Sequence, residues 1–307
     1  MKVLITGVAG FIGAHVAARF LKEGFDVIGV DDLSSGKKEN IPQGIQFIEA
    51  DLANKSSVDN LPSGCSLILH LAGQSSGEIS FDNPIFDLEK NTVSTLNLIQ
   101  YGIRNSSERI VYASSMSVYG EVDEEASGES LHPMPLSCYG VGKLASEGYL
   151  KVYQDKLPYV ALRMFNVYGP GQDLNNLRQG MVSIFLAQAV RTGKIEVKGN
   201  LSRYRDFIYI DDVVEAWYQS ATKLSAKNQI LNVGTGIKTT IGELLEKIQS
   251  SVEGSEFFVQ GSTPGDQNGI FADNSKTRNL LGITSFTPLE VGLPRFADWA
   301  KHFLNTY

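Results

Sequence analysis

Cysteine is scarce in this chain. Only Cys65 and Cys138 occur among 307 residues, 73 positions apart and in no CxxC or metal-ligand spacing. Neither a disulfide framework nor a metal site is expected, and both thiols read as free in a reducing compartment. Long apolar runs are also missing: none reaches the ~18 residues that a bilayer span requires. The opening MKVLITG reads as a strand entering a turn rather than as a signal peptide, so a cytoplasmic protein without membrane attachment is expected. Nor is there an excess of basic charge. Twenty-seven Lys and Arg stand against 34 Asp and Glu, a net charge of −7, which disfavours a nucleic-acid partner because phosphate backbones are bound by clustered Lys and Arg. There is no internal repeat and no low-complexity tract, and only the polar stretch 121–130 has a composition suited to disorder. What remains is ordinarily globular: 42% hydrophobic residues can bury a full core, and 30 glycines imply many tight turns.

The first half alternates short β-branched runs with helical patterns. KVLIT (2–6), DVIGV (26–30), IQFIEA (45–50), SLILHLA (66–72), RIVYAS (109–114) and YVALRMF (159–165) read as strands, and their near-continuous apolar character suits strands buried on both faces. A helix is expected between Gly10 and Gly24, with others near 87–101 and 139–155. This is the rhythm of a Rossmann-type α/β fold, a doubly wound parallel sheet. After Asn166 the rhythm breaks. DFIYI with DDVVEAWYQSATK reads as one more strand and helix of the first unit, so residues 1–165 plus about 206–230 are expected to form the cofactor domain. About 166–205 plus 231–307 are expected to form a smaller α/β domain for the substrate.

Gly7, Gly10 and Gly13 in TGVAGFIG follow the first strand and open the first helix. Glycine permits backbone angles and close approach that a Cβ blocks, and a helix N-terminus favours a pyrophosphate. Alone the pattern is weak, since a tightly packed turn has the same glycines. Asp31 strengthens it: it ends the second strand, 24 residues after Gly7, where a carboxylate can accept from the adenosine ribose hydroxyls and repel a 2′-phosphate. NAD is therefore expected over NADP, with Lys37 and Lys38 just downstream as the residues that could weaken the preference. Tyr139 and Lys143 are four apart on a predicted helix and so share one face. A phenol is a poor base at neutral pH, and a neighbouring ammonium together with the nicotinamide charge favours its phenolate.

TGVAGFIG, VDDLSSG, ADL (50–52), HLAG (70–73), SSMSVYG (114–120), YGVGK (139–143), RMFNVYGPG (163–171), RYRDFIYIDDV (203–213), LNVGTG (231–236) and PGDQ (264–267) occur in an order that resembles the extended short-chain dehydrogenase/reductase family, in its NAD-dependent sugar epimerase/dehydratase branch. The resemblance implies that Phe11 and Ile12 join the glycines around NAD. It also implies that Asp51 and Leu52 lie along the adenine, that His70, Leu71, Ala72 and Gly73 run beneath the cofactor, and that Asn91, counted among the cofactor-binding residues, braces the sheet. In the family the tyrosine takes the hydroxyl proton while hydride goes to the cofactor, and the lysine also holds the nicotinamide ribose. That assigns catalysis to Tyr139 and Lys143, with Ser115 bonding the reacting sugar oxygen. A homodimer through the helices near 87–101 and 139–155 is implied as well.

The same resemblance places a nucleotide-diphosphate sugar, UDP-linked, against Ser115, Ser117, Asn166, Arg205, Asp266 and Ile270. Dehydrating relatives carry Asp-Glu directly after the Ser115 position, and decarboxylating relatives carry Glu at the second of these places. Here stand Met116 and Ser117, which supply no general acid or base for water elimination. An epimerase that works through a transient 4-keto sugar is the reading. A 4-keto-sugar reductase, a dehydratase and a cofactor-sensing protein without turnover remain as alternatives. Thr263 replaces the arginine that normally precedes PGD, and a lost fork to a phosphate calls for another donor. Arg203 is the first choice, because two residues from Arg205 on an extended segment it shares that side chain's face. Arg178 is the second. Ile270 sits where bulk governs an N-acetyl group, and it leaves hexose and N-acetylhexosamine both open.

Overall fold

The computed structural model describes residues 1–178, 180–261 and 268–306. Its main sheet has seven strands: β1 (Lys2–Thr6), β2 (Asp26–Asp31), β3 (Gln46–Glu49), β4 (Leu67–His70), β5 (Arg109–Ser115), β6 (Tyr159–Met164) and β7 (Gln229–Val233). They run parallel in the order β7-β6-β5-β4-β1-β2-β3. The chain winds outward from β1 through β2 and β3, then returns to β4 on the other side of β1. A crevice therefore opens at the carboxyl ends of β1 and β4, the place where such sheets bind ligands. Leu4, Ile5, Ile68, Leu69 and Val111 are fully buried, as strands covered on both faces must be.

The first helix spans Phe11–Lys22 and turns Val16, Ala17 and Phe20 into the core before Gly24 stops it at φ +81°. The helix expected near 87–101 is built differently. Pro84–Leu88 makes a short turn of helix, Glu89–Val93 a π-helical turn, and Ser94–Arg104 the regular helix. The 139–155 pattern is the helix Cys138–Val152, capped by the side chain of Ser137. The 121–130 stretch is tied in: Ser127 pairs with Ala272 and its carbonyl accepts from Asn232.

One expected strand lies elsewhere. Phe207–Tyr209 does not extend the main sheet but pairs with Asn166–Tyr168 in a separate two-stranded parallel sheet. The seventh place belongs to β7, which includes residues 229–230 from before the expected boundary. The physical cause is a switch in hydrogen bonding at the end of β6. The Phe165 amide donates to Val233 of β7, whereas the next amide, Asn166, donates to Asp206. The chain peels away from the sheet between these two residues and so walls the far side of the crevice.

Candidate active site

A cavity of about 600 Å³ occupies the crevice. Gly7, Gly10, Phe11, Ile12 and Gly13 line its floor, where an added Cβ on Gly13 would lie 1.9 Å from the Gly7 carbonyl oxygen and one on Gly7 2.7 Å from the Ala72 nitrogen. Both clashes are with neighbouring backbone, so glycine lets β1, β4 and the first helix pack this closely, and that helix opens on the cavity where a pyrophosphate would sit. Asp31 stands at one end. One of its carboxylate oxygens accepts from the Ala9 amide and the other from the Leu33 amide, both at 2.9 Å, so the side chain is fixed while keeping lone pairs for ribose hydroxyls. Asp51, Leu52, Leu71, Ala72 and Gly73 complete this half of the wall.

His70 fastens the floor. Thr6 Oγ1 accepts from the amides of Leu71 and Ala72, so its proton goes to His70 Nδ1 at 2.9 Å, and His70 Nε2 then donates to Thr95 at 3.0 Å. Burial, with the charge of Lys143, pushes the His70 pKa down to about 3, which keeps the ring neutral for this relay. β1, β4 and the helix that follows them are thereby locked together beneath the cavity.

Ser115, Tyr139 and Lys143 all line the other half. Ser115 ends β5, and its Oγ accepts from the Ser117 amide, closing a 3₁₀ turn over Met116–Val118. Tyr139 and Lys143 lie one helical turn apart, with Lys143 Nζ 5.5 Å from the tyrosine ring centre and 5.0 Å from that of Tyr112. Lys143 is pushed down to about 8 by burial, with Asp87 opposing. The ammonium and the nicotinamide charge together are expected to favour the Tyr139 phenolate, and among the protein's own groups burial outweighs the rest. It pushes the phenol up to about 12, against the Ser115 hydroxyl and helped by the Asp87 carboxylate.

A family model for the NAD-dependent epimerase/dehydratase family matches residues 3–234. The chain belongs to that family. Its residues fit the family cofactor, NAD, through the close-packed glycine turn that opens the first helix on the cavity and through the doubly anchored Asp31. It is similar to the UDP-glucose 4-epimerase of Mycolicibacterium smegmatis, 33% identical over 98% of this chain and 99% of that one. The UDP-glucose 4-epimerase of Thermotoga maritima, solved with UDP-glucose, superposes with a TM-score of 0.95 at 32% identity, covering 99% of this chain and 100% of that one. The Thermus thermophilus UDP-glucose 4-epimerase in complex with NAD does so with 0.89 at 33%, covering 98% and 99%. No helix among the described residues is long and apolar enough to cross a membrane.

In this member of the family some expected ligands stand apart from the cavity. Ser117 and Asn166 line it, but Asn91, Arg203, Arg205 and Ile270 do not. Asn91 sits behind Gly73: its amide donates to Asp87, and its Oδ1 is buried without a hydrogen-bond partner, facing the missing Cβ of Gly73 beside Lys143 Nζ. Arg203 precedes the two-residue strand Tyr204–Arg205 instead of alternating within it, so its guanidinium folds back over Gly199 onto the carbonyls of Lys198 and Asn200. Arg205 is buried and donates to the Tyr204 carbonyl, and burial lowers its pKa to about 10. Arg178 pairs with Glu78 and Asp82. Ile270 packs in a small core with Val118 and Phe165, with Met116 against it, so it reaches the cavity only through Met116 and Phe165. Asp266 and Thr263 lie outside the described residues.

Sequence reasoning missed Asp32, Lys90, Gln74, Gln172 and Asn176, which also line the cavity. Asp32 stood in plain view beside Asp31. The others come from loops and from the π turn, and no local spacing marks them.

Proposed function

We propose that this protein interconverts C4 epimers of a UDP-linked sugar through a transient 4-keto form, using Ser115, Tyr139 and Lys143. The supporting observation is the company these residues keep. They share one cavity with the glycine floor and Asp31, and the wall directly after Ser115 is formed by Met116 and Ser117, with no carboxylate for elimination. NAD bound in this cavity supplies a hydride acceptor that can return the hydride to the opposite face of the sugar, and its nicotinamide charge favours the Tyr139 phenolate. The Tyr139 oxygen takes the 4-hydroxyl proton and gives it back. The Ser115 hydroxyl holds the reacting oxygen. Lys143 lends charge beside the ring and a donor for the ribose. The likeness to a structure holding UDP-glucose supports the UDP link. The sugar and its diphosphate are assigned to the side of Asn166, Gln172, Asp173, Asn176 and Gly180, with the cofactor on the sheet.

We assign a homodimer to the same reading. Ile85 and Leu88 on one helical stretch, and Val141, Tyr149 and Val152 on the neighbouring Cys138–Val152 helix, are apolar and 40–75% exposed. Such a patch marks an interaction surface. Molecular mass in solution tests it.

The deciding experiment incubates the purified protein with a panel of nucleotide sugars, without added cofactor, and follows products by NMR. Interconversion of 4-epimers is expected. Loss of water, or reduction only in proportion to added reduced cofactor, would replace the epimerase reading.

A further inference from the structure

The adenosine end of the cavity holds a feature that neither the glycine pattern nor the catalytic trio accounts for. Asp32 follows β2 and Asp51 follows β3, so the two carboxylates belong to different loops. Lys90 Nζ lies 2.7 Å from Asp32 Oδ2 and 2.8 Å from Asp51 Oδ1, and its side chain is only 15% exposed. All three residues line the cavity. Lys90 reaches them from the π turn Glu89–Val93. There the neighbouring Asn91 packs behind Gly73, outside the cavity lining, so two consecutive residues of this turn point different ways. π turns are recurrent at functional sites because the extra residue re-aims side chains.

We propose that Lys90 is a positioning residue for NAD, a clasp that holds the loops after β2 and β3 together around the adenosine. Two carboxylates within 2.8 Å of one ammonium repel each other once that ammonium is removed; Asp32 is 24% exposed and Asp51 45%, so water screens the repulsion in part and the expected effect is moderate. The loops then part, and Asp31, which is bonded to the Leu33 amide of the same loop, moves with them. The clasp touches only the adenosine side, so ADP and NAD should feel it equally. Firm retention also suits an enzyme whose cofactor serves many turnovers without leaving. The inference rests on NAD occupying this cavity and not on which sugar reaction follows.

Calorimetric titration of the full chain with NAD, ADP and nicotinamide mononucleotide tests the clasp. Lys90→Met should raise the Kd for NAD and for ADP by about tenfold and leave nicotinamide mononucleotide unchanged. Lys90→Arg should keep most of the affinity. Adding Asp32→Asn to Lys90→Met should restore NAD binding to within about threefold of the parent, because one of the two repelling charges is gone. If Lys90→Met proves unfolded by circular dichroism, Asp32→Asn alone carries the test. It removes half the clasp without leaving repulsion, so ADP affinity should fall less than threefold, and a larger fall would mean that Asp32 binds the nucleotide itself. Unchanged NAD affinity in folded Lys90→Met overturns the proposal. So does a loss that Asp32→Asn does not reverse, which would make Lys90 a direct ligand.

Discussion

Glu147 and Arg163 form a buried ion pair, each side chain 3% exposed, and removing one partner should be far costlier than removing both. Arg163 Nε donates to Glu147 Oε1 at 2.9 Å and Nη2 to Oε2 at 2.7 Å, while the Ser114 hydroxyl donates to Oε1 at 2.5 Å. Arg163 also lies over the Tyr119 ring at 4.8 Å. Burial opposes its charge, and the Glu147 carboxylate more than restores it, so the pKa is raised. Glu147→Leu strands the guanidinium, whose Nη1 already lacks a partner, and should cost about 3–5 kcal/mol. Glu147→Leu with Arg163→Met leaves only the Ser114 hydroxyl unpaired, at about 1–3 kcal/mol. The pair also joins the helix bearing Tyr139 and Lys143 to the ends of β5 and β6, where Ser114 pairs with Arg163 and Ser115 with Met164. The double variant should therefore fold yet turn over more slowly, by up to about 100-fold, since misplacement by about 1 Å can cost that much. Urea unfolding at matched m-values, with kcat measured beside it, checks both. A single variant costing less than about 1 kcal/mol, or a double variant costing the sum of the two singles, would refute the reasoning.

Tyr139→Phe should lower turnover at least ~100-fold with NAD affinity nearly intact; turnover within about tenfold of the parent would remove Tyr139 as the base. Asp31→Ala should relax the preference for NAD over NADP, because it deletes the carboxylate that repels a 2′-phosphate; an unchanged ratio of the two Kd values would show that discrimination lies elsewhere. Lys143 has a folded pKa near 8, below the unfolded 10.5, because of burial, so between these values the unfolded chain carries the extra proton. Its contribution to stability is therefore present above pH 10.5 and is lost as pH falls through 8. Unfolding free energy of the parent minus that of Lys143→Met should rise across pH 8–10 by up to ~1.4 kcal/mol per unit. A flat difference in denaturant titrations would contradict it.

How much could be read in advance divides along a physical line. Gly7, Gly10 and Gly13 with Asp31, and Tyr139 with Lys143, are set by spacing along one turn, one strand end or one helix. Local geometry then carries them to the cavity, and the structure finds them there. Lys90 with Asp32 and Asp51, and Glu147 with Arg163, join segments that only the completed sheet brings together, and no period in the sequence foretells such partners. Arg203 differs from the expected geometry for another reason, its guanidinium lying on the carbonyls of Lys198 and Asn200. The period-2 argument holds only inside a strand, and the strand begins at Tyr204, one residue too late. DFIYI was read correctly as extended chain, but extended chain does not name its partner, and β7 had already taken the edge of β6.

Tyr139 gives the sharpest case, because its place and its neighbours were foreseen while the weight of burial on its acidity was not. Counting charges along the helix includes the Lys143 ammonium. It omits the desolvation that packing adds, and desolvation leaves both groups reluctant to ionise, the phenol near 12 and the lysine near 8. A base held in that state by its own protein becomes effective only when a further positive charge arrives beside it. Gly7, Asp31 and Tyr139 line one cavity, so NAD held there as proposed would bring that charge. On the proposed mechanism, cofactor binding and activation of the base would be one event, and the chain with reduced cofactor should hold Tyr139 protonated.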